Sequence, residues 1–496
     1  MGSHRSVTRV VLRADADPSI GAGHLMRCLA LARALSRYVQ PVIATTCNRP
    51  ELLQHVERSG IAIARLGAAH PHPSDADQVC ELMDGVRPGF VVIDGYHFDG
   101  AYVDRLRSWG LRTLMIDDRP RLSEYTSDLL LDVNLGALRQ PYVLAPQTTP
   151  LLGPRFTLVR EEFVEAERPS PRVVPVASRL LVTMGGSDPD NATALVLGAL
   201  ERLSRRFDVT VVVGGANPRL DAIRQQCARL TRASVVHNTS NFESLMAETD
   251  MAIAAVGGTI WELAYMGVPT LLLSATDLHH RVAEVADRYG AHRWLGSMDA
   301  GDEQKLADAV VALADDSRAR SEMRRLGRLL IDGGGSARTA AAICADDSKW
   351  EIRPAQLRDA EPVWEMRDAA REPCESYSGA TFPGFEPWFQ DAIDAVESRL
   401  WVLERYGSVA GFARYDRDVG VTNVAVAIAP AVRERGFAVR LLRDTWSDAR
   451  DHFGPSRMQG TVFERDGEFS RAFADTEFMP KERLIVDGRP CVVFER

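Results

Sequence analysis

One stretch near the start of the chain gathers residue types that can do chemistry: Arg13-Ala-Asp15-Ala-Asp17-Pro-Ser-Ile-Gly21-Ala-Gly23-His24-Leu-Met-Arg27. The His24 imidazole can take or give a proton near neutral pH. Gly21 and Gly23 let a bulky or anionic group come close to the backbone. A His at a helix start also serves as a plain cap, so the type alone leaves both roles open. Asp15 and Asp17 have the spacing of a metal-binding pair, but Asp before Pro-Ser is also turn chemistry. The reading adopted is the turn, with no metal.

The elements on either side decide how such residues are presented. Val10-Val-Leu12 is a short apolar run that reads as a buried strand, and Leu25, Leu29, Leu31, Ala32 and Leu35 recur at helical spacing. A strand passing through a glycine-rich turn into a helix aims free N–H groups and the positive end of the helix dipole at whatever binds there. Further strands are expected at 41–44, 89–94, 112–116 and 129–133, with helical patterns between them. That alternation means βαβ units and a parallel sheet. Ligands sit at the carboxyl ends of such strands. Asp94-Gly-Tyr96, Asp117-Asp118 and Asn134 stand there and are candidates, although strand-end polar residues also cap helices.

A proline-rich linker over 165–177 separates this unit from a second α/β series. Strands at 179–183, 209–213 and 251–255 run into Gly185-Gly186-Ser187, Gly214-Gly215 and Gly257-Gly258-Thr259. Such loops suit phosphate binding through backbone amides, although a single Gly-Gly pair can be only a tight turn. Two α/β units with a hinge imply a cleft, and a nucleotide-sugar suits a cleft with a His loop on one side and phosphate loops on the other. From about Lys349 the pattern changes to strands and a hairpin over 399–414, a separate α+β unit. The units are therefore drawn at 1–170, 171–346 and 347–496.

Composition bounds the rest. The 496 residues are too many for one core. A net charge of −9 argues against general binding to nucleic acid or membrane surfaces, and none of either is expected. Seven scattered cysteines with no CxxC pair suggest neither a zinc site nor a disulfide framework, and a reducing cytoplasm is the simplest setting. The apolar stretch 251–275 is broken by Gly257-Gly258, Gly267 and Pro269 and is not read as a membrane span.

Several motifs, in order, carry a resemblance over roughly residues 8–345. They are Arg13-Ala-Asp…Ile20-Gly-Ala-Gly-His24-Leu-Met-Arg27-Cys28, Asp94-Gly-Tyr96, Asp117-Asp118, the 153–163 run, Gly185-Gly-Ser-Asp188-Pro, Gly257-Gly-Thr-Ile-Trp-Glu262 and Ile331-Asp-Gly-Gly-Gly. Together they resemble the nucleotide-sugar hydrolases of pseudaminic acid biosynthesis, which remove UDP from a diacetamido-trideoxyhexose, and their spore-coat relatives. Those proteins are built like two-domain glycosyltransferases of the MurG type. The resemblance implies a GT-B-like pair of Rossmann-type domains and metal-independent attack of water at the anomeric carbon, with inversion. It implies that His24 is the general base or orients the water, that Tyr96 lines the sugar site, and that Gly21, Gly23, Arg27, Asp94, Gly186 and Ser187 line the substrate. The Gly257, Gly258 and Thr259 amides would hold the diphosphate, and Glu262 would accept from the ribose hydroxyls. Where that family carries an Asn-Gln pair facing the sugar, this chain has Leu278-His279, so the sugar can differ; His279 is read equally as a sugar contact or a surface residue.

The run Val426–Leu442, with Arg433-Glu-Arg435-Gly436-Phe-Ala438, resembles the GNAT acetyltransferases, above all those that acetylate a UDP-linked 4-amino sugar. There an Arg/Gln-x-x-Gly-x-Gly/Ala turn opens a helix whose amides bind the acetyl-CoA pyrophosphate. Arg433, Arg435, Gly436 and Ala438 are the matching positions, while Glu477-Phe478 replaces a common Gly-Phe. A purely structural domain of this fold is the alternative. Together the resemblances imply N-acetylation of an amino sugar followed by loss of UDP. The rivals are a glycosyltransferase on the same fold and a nucleotide-sugar-binding protein with both sites dead.

Overall fold

A computed structural model describes residues 9–17, 21–86, 89–168, 173–203, 206–274, 277–297, 302–345, 349–370, 381–486 and 488–496. Ile20 and part of the proline-rich linker lie outside these residues.

The first sheet comprises β1 (Arg9–Ala14), β2 (Gln40–Thr45), β3 (Ala62–Arg65), β4 (Gly89–Asp94), β5 (Arg112–Ile116), β6 (Leu129–Asp132) and β7 (Thr149–Leu152). Its order is β3-β2-β1-β4-β5-β6-β7, all parallel. The reversal between β1 and β4 is the switch point of a Rossmann-type sheet. Val10, Leu12, Phe90, Val92, Leu114 and Leu129 fill one face together with Leu25, Leu29, Leu31 and Leu35 of the Gly23–Leu35 helix. β3 is short and half-buried, and β7 carries Pro150 at the sheet edge, so neither has the apolar run that marks the other five.

The second sheet comprises β8 (Arg179–Thr183), β9 (Asp208–Val213), β10 (Ala233–His237), β11 (Met251–Ala255), β12 (Thr270–Ser274) and β13 (Arg293–Ser297). Its parallel order, β10-β9-β8-β11-β12-β13, is again Rossmann-type, so the first two units form a GT-B-like pair. The apolar 251–275 stretch resolves into β11, the Thr259–Met266 helix and β12. Among the described residues no helix is long and apolar enough to cross a membrane. The Gly335–Cys344 helix, drawn with the second unit, crosses back: Ala340, Ala342 and Ile343 pack in the core of the first sheet. Gly335 allows this approach, since a Cβ there would lie 2.2 Å from Thr157 O.

The third sheet comprises β14 (Glu351–Pro354), β15 (Ser398–Arg405), β16 (Ser408–Asp418), β17 (Val421–Ile428), β18 (Arg457–Phe463), β19 (Met479–Val486) and β20 (Arg489–Glu495), in the order β14-β15-β16-β17-β18-β20-β19. It is antiparallel except for β17 and β18, which pair from Val421–Arg457 to Val424–Gly460 and then part. The Phe437–Phe453 helix packs on its face through Leu441, Leu442 and Ala449. This is an α+β unit of the GNAT type.

Candidate active site

Beyond β1, Gly21 N–H donates to Asp17 O at 2.8 Å, and the helix starts at Gly23. Gly21 has φ +79°, which suits glycine, and among the described residues a Cβ on Gly21 or Gly23 would meet nothing within 4 Å beyond its chain neighbours. The glycines therefore border open space. His24, 8% exposed, sits at that mouth.

β4 lies beside β1 with Ala14 opposite Asp94, which brings the two strand ends together. His24 Nδ1 is 2.6 Å from Asp94 Oδ1. Arg27, one helical turn after His24, donates from Nε to Asp94 Oδ2 and from Nη2 to Oδ1, each at 2.6 Å. Its Nη1 lies 3.0 Å from both oxygens of Asp118, just beyond β5. Burial alone would raise the Asp94 carboxyl; Arg27 and His24 overcome it and hold Asp94 well below the usual carboxylate range. Asp118 is likewise lowered, burial being outweighed by Arg27 and the Tyr96 hydroxyl.

An ionised carboxylate only accepts hydrogen bonds, so the His24–Asp94 bond requires a proton on Nδ1. In the neutral ring that leaves Nε2 with a lone pair. Tyr96, 45% exposed, stands edge-to-face with the His24 ring at 5.0 Å and donates its hydroxyl to Asp118. Burial and the Asp118 charge push the Tyr96 phenol up, keeping it a donor. Asn134, after β6, donates from Nδ2 to Asp118 Oδ1 at 3.1 Å and to Asp132 Oδ1 at 2.8 Å. The ends of β4, β5 and β6 thus form one hydrogen-bonded network behind His24 and Tyr96. Asp15 lies elsewhere, with Arg13 Nη1 at 2.6 Å and the Thr46 N–H at 2.8 Å, in a buried structural network with Asp75. Among the described residues no group of three or more His, Cys, Asp or Glu is arranged to hold a metal ion.

In the second unit Gly186, Ser187, Gly257 and Gly258 are exposed and Thr259 is half-buried. Among the described residues a Cβ on Gly186, Gly257 or Gly258 would meet nothing within 4 Å beyond its chain neighbours. Behind them Gly214 touches the Gly186 backbone, where a Cβ would lie 2.4 Å from Gly186 O. The Thr259–Met266 helix opens directly from Gly258 with its first N–H groups toward the loop. Glu262, one turn in, is buried, and its two oxygens accept from Arg160 Nε at 2.6 Å and Nη2 at 2.9 Å. Arg160 belongs to the 153–163 run of the resemblance, which implies no role for it; 102 positions separate the pair, and no local spacing links them. His279 is half-buried in the Asp277–Arg288 helix, whereas its neighbour His280 points Nε2 at Ser274 O, 3.3 Å away. The Leu278 side chain lies outside the described residues. Arg160–Glu262, and the Gly136 N–H 3.2 Å from Tyr289 Oη, join the first unit to the second.

In the third unit Gly436 caps the Phe437–Phe453 helix with φ +75°, and Ala438 is buried in its first turn, which carries no acidic residue. The amides of Gly436, Phe437 and Ala438 are the unsatisfied donors of a helix start. A cavity of about 440 Å³ in the same unit is lined by Arg433, Glu434, Phe463, Arg465 and Glu468, among others. Arg433 Nη1 lies 3.6 Å from Asp466 Oδ2. Arg435 points away from the cavity, donating to Ala145 O and Thr148 O of the first unit at 3.1 Å.

No protein-family model matches the chain. It is 25% identical over 234 residues to a spore coat polysaccharide biosynthesis protein, SpsG, of Bacillus subtilis, covering 47% of this chain and 69% of that one. It is 22% identical over 264 residues to the UDP-2,4-diacetamido-2,4,6-trideoxy-beta-L-altropyranose hydrolase of Campylobacter jejuni, covering 51% of this chain and 87% of that one. An uncharacterized protein of Methanocaldococcus jannaschii is 23% identical over 279 residues, and the match spans 54% of this chain and only 56% of that relative. Among solved structures, a glycosyltransferase from Rickettsia africae aligns over 69% of this chain and all of its own, at 12% identity and TM-score 0.49. A putative acetyltransferase from Salmonella typhimurium aligns over 30% of this chain and 94% of its own, at 18% identity and TM-score 0.27. Over about half its length, this chain is therefore related in sequence to a spore-coat polysaccharide biosynthesis protein and to a UDP-sugar hydrolase.

Proposed function

We propose that the chain hydrolyses a UDP-linked amino or acetamido deoxy sugar to the free sugar and UDP. The observation that carries this reading is the bond from His24 Nδ1 to the ionised Asp94, which leaves Nε2 as a base at the open side of the glycine turn. As a water oxygen attacks the anomeric carbon, Nε2 takes its proton. The bond from that carbon to the diphosphate breaks, and its electron pair leaves with UDP. Asp94 stabilises the imidazolium that forms, and the amides at Gly257, Gly258 and Thr259 meet the charge growing on the leaving diphosphate. Tyr96, its one hydroxyl proton given to Asp118, orients the sugar by accepting from it. Two bonds to Arg160 leave Glu262 lone pairs with which it would accept from the ribose.

The third unit is proposed to N-acetylate the amino sugar before UDP is released. What supports acetyl-CoA here, which would supply the acetyl group, is the left-handed Gly436 at the helix start: the amides of Gly436, Phe437 and Ala438 would hold the pyrophosphate.

The test is UDP release from a panel of UDP-amino sugars without acceptor, with and without acetyl-CoA, by the wild type and His24→Ala. Release that follows acetylation and is lost in His24→Ala supports the reading. Release only after a sugar or lipid acceptor is added means a transferase and overturns hydrolysis.

A further inference from the structure

The third unit reaches into the network behind His24. Glu365, on the Ala360–Ala370 helix, is fully buried. Its Oε1 accepts from the Gly136 N–H at 2.6 Å and its Oε2 from the Leu138 N–H at 2.9 Å, both in the first unit. The Tyr289 hydroxyl of the second unit donates to the same Oε1. Around this carboxylate Asp368 pairs with Arg139 and Arg288, and Trp364 stands edge-on to Tyr289 at 4.7 Å. The three units meet at this point.

The gripped segment is a turn, Asn134 to Ala137, closed by Ala137 N–H to Asn134 O at 3.3 Å, with Gly136 at φ +81°. Asn134, its first residue, is the donor that anchors Asp118, and Asp118 holds both Arg27 and the Tyr96 hydroxyl. We propose that Glu365 is a positioning residue for the His24 site, its carboxylate fixing the Asn134–Leu138 turn so that Asn134 holds Asp118 in place. The proposal rests on the reading of the His24 site given above. It assigns the third unit a part in the chemistry of the first that does not depend on acetyl transfer. A displacement of about an ångström at a catalytic group can lower the rate by as much as about a hundredfold.

The test compares full-length wild type, Glu365→Ala, Glu365→Gln and Tyr289→Phe by amide hydrogen exchange and by UDP-release kinetics. Gln keeps the shape and one acceptor but sets an N–H against a backbone N–H. Phe keeps the ring and removes only the hydroxyl. The expected result for Glu365→Ala is faster exchange at 134–138 that extends to 94–98 and 117–119, while β11 at 251–255 is unchanged. Its kcat falls about tenfold with KM within about threefold, and Gln and Phe fall between it and the wild type. Faster exchange confined to 134–138, or spread equally to β11, overturns the proposal, as does an unchanged kcat. If the wild type releases UDP from no sugar in the panel, the hydrolase reading fails separately, and the exchange pattern still decides the coupling.

Discussion

Replacing Asp94 by Asn tests the His24 dyad with the least change of shape. Asp94 is fully buried, and its oxygens serve separate partners: Oδ1 faces His24 Nδ1 and Arg27 Nη2, and Oδ2 faces Arg27 Nε. An amide has one oxygen. With its nitrogen at the Oδ2 position, an N–H meets the Arg27 Nε–H. With it at the Oδ1 position, an N–H meets Arg27 Nη2 and donates to His24 Nδ1, which moves the ring proton to Nε2 and removes the base. Either orientation loses a charge-assisted hydrogen bond, costing about 1.5–3 kcal/mol of stability. Where the amide nitrogen takes the Oδ1 position the base is lost, and in either orientation the imidazolium loses its counter-charge; general-base assistance contributes about 10²–10⁴-fold, so kcat is expected to fall by about a hundredfold, near 2.7 kcal/mol of barrier. KM should change little: the resemblance implies that Asp94 lines the substrate, but here it is fully buried behind His24 with its oxygens engaged by His24 and Arg27. The assay is UDP release at saturating UDP-sugar, with thermal denaturation and circular dichroism to establish that the variant is folded. A folded Asp94→Asn protein with kcat within about threefold of the wild type would refute the assignment of His24 as a base oriented by Asp94.

The remaining expectations concern other parts of the structure. Burial and the Asp118 charge push Asp132 up to about 7, against about 3.9 in an unfolded chain, so the folded state keeps a proton that the unfolded state releases. Stability should therefore decline as pH rises from about 4 to 7, by up to about 4 kcal/mol, and Asp132→Asn should flatten that decline and raise the urea midpoint at pH 8. Asp94 has the opposite sign: its contribution is present above the unfolded carboxylate pKa and is lost as pH falls through its depressed folded value, so Asp94→Asn should narrow its stability deficit in strong acid. Gly214→Ala places a Cβ 2.4 Å from Gly186 O, which should cost about 1–3 kcal/mol and raise KM for the nucleotide-sugar, read by denaturation and steady-state kinetics. Arg433→Ala should weaken acetyl-CoA binding about tenfold by calorimetry, whereas Arg435→Ala should leave it within about twofold, since Arg435 is held by first-unit carbonyls.

How far the sequence could be read follows from the range of the interactions. The strands at 89–94 and 112–116 were legible because their apolar runs are buried on both faces of a parallel sheet. β7 was not, because Pro150 and two threonines break the pattern while the third unit covers its edge, Arg405 donating to Thr149 Oγ1 at 2.9 Å. His24 and Arg27 are three residues apart on a helix, so their shared face is a local fact. That Asp94, Asp118 and Asn134 meet behind them depends on β4, β5 and β6 being adjacent, which single strands do not state. The Gly436 turn was readable from its residues, but the direction of Arg435 depends on a surface nearly 290 positions away in the chain.

The units are joined by apolar packing, Trp364 and Phe382 on Tyr289 and Phe163 on Phe242, and through it run polar joints: Arg160 with Glu262, Glu365 with Tyr289 and two backbone amides, Asp368 with Arg139. Buried ionic groups give little net stability, because desolvation offsets their attraction, but leaving one partner behind is strongly unfavourable. They therefore hold orientation more than they hold the fold. A greasy contact slides at small cost; a carboxylate accepting two amides at 2.6 and 2.9 Å does not. Substitutions at these joints that preserve shape, such as Glu365→Gln, should thus affect turnover more than melting, whereas truncations such as Leu25→Ala in the first core should do the reverse. A chain in which that order is inverted would have its cleft geometry set by packing within each unit, with the polar joints only following it.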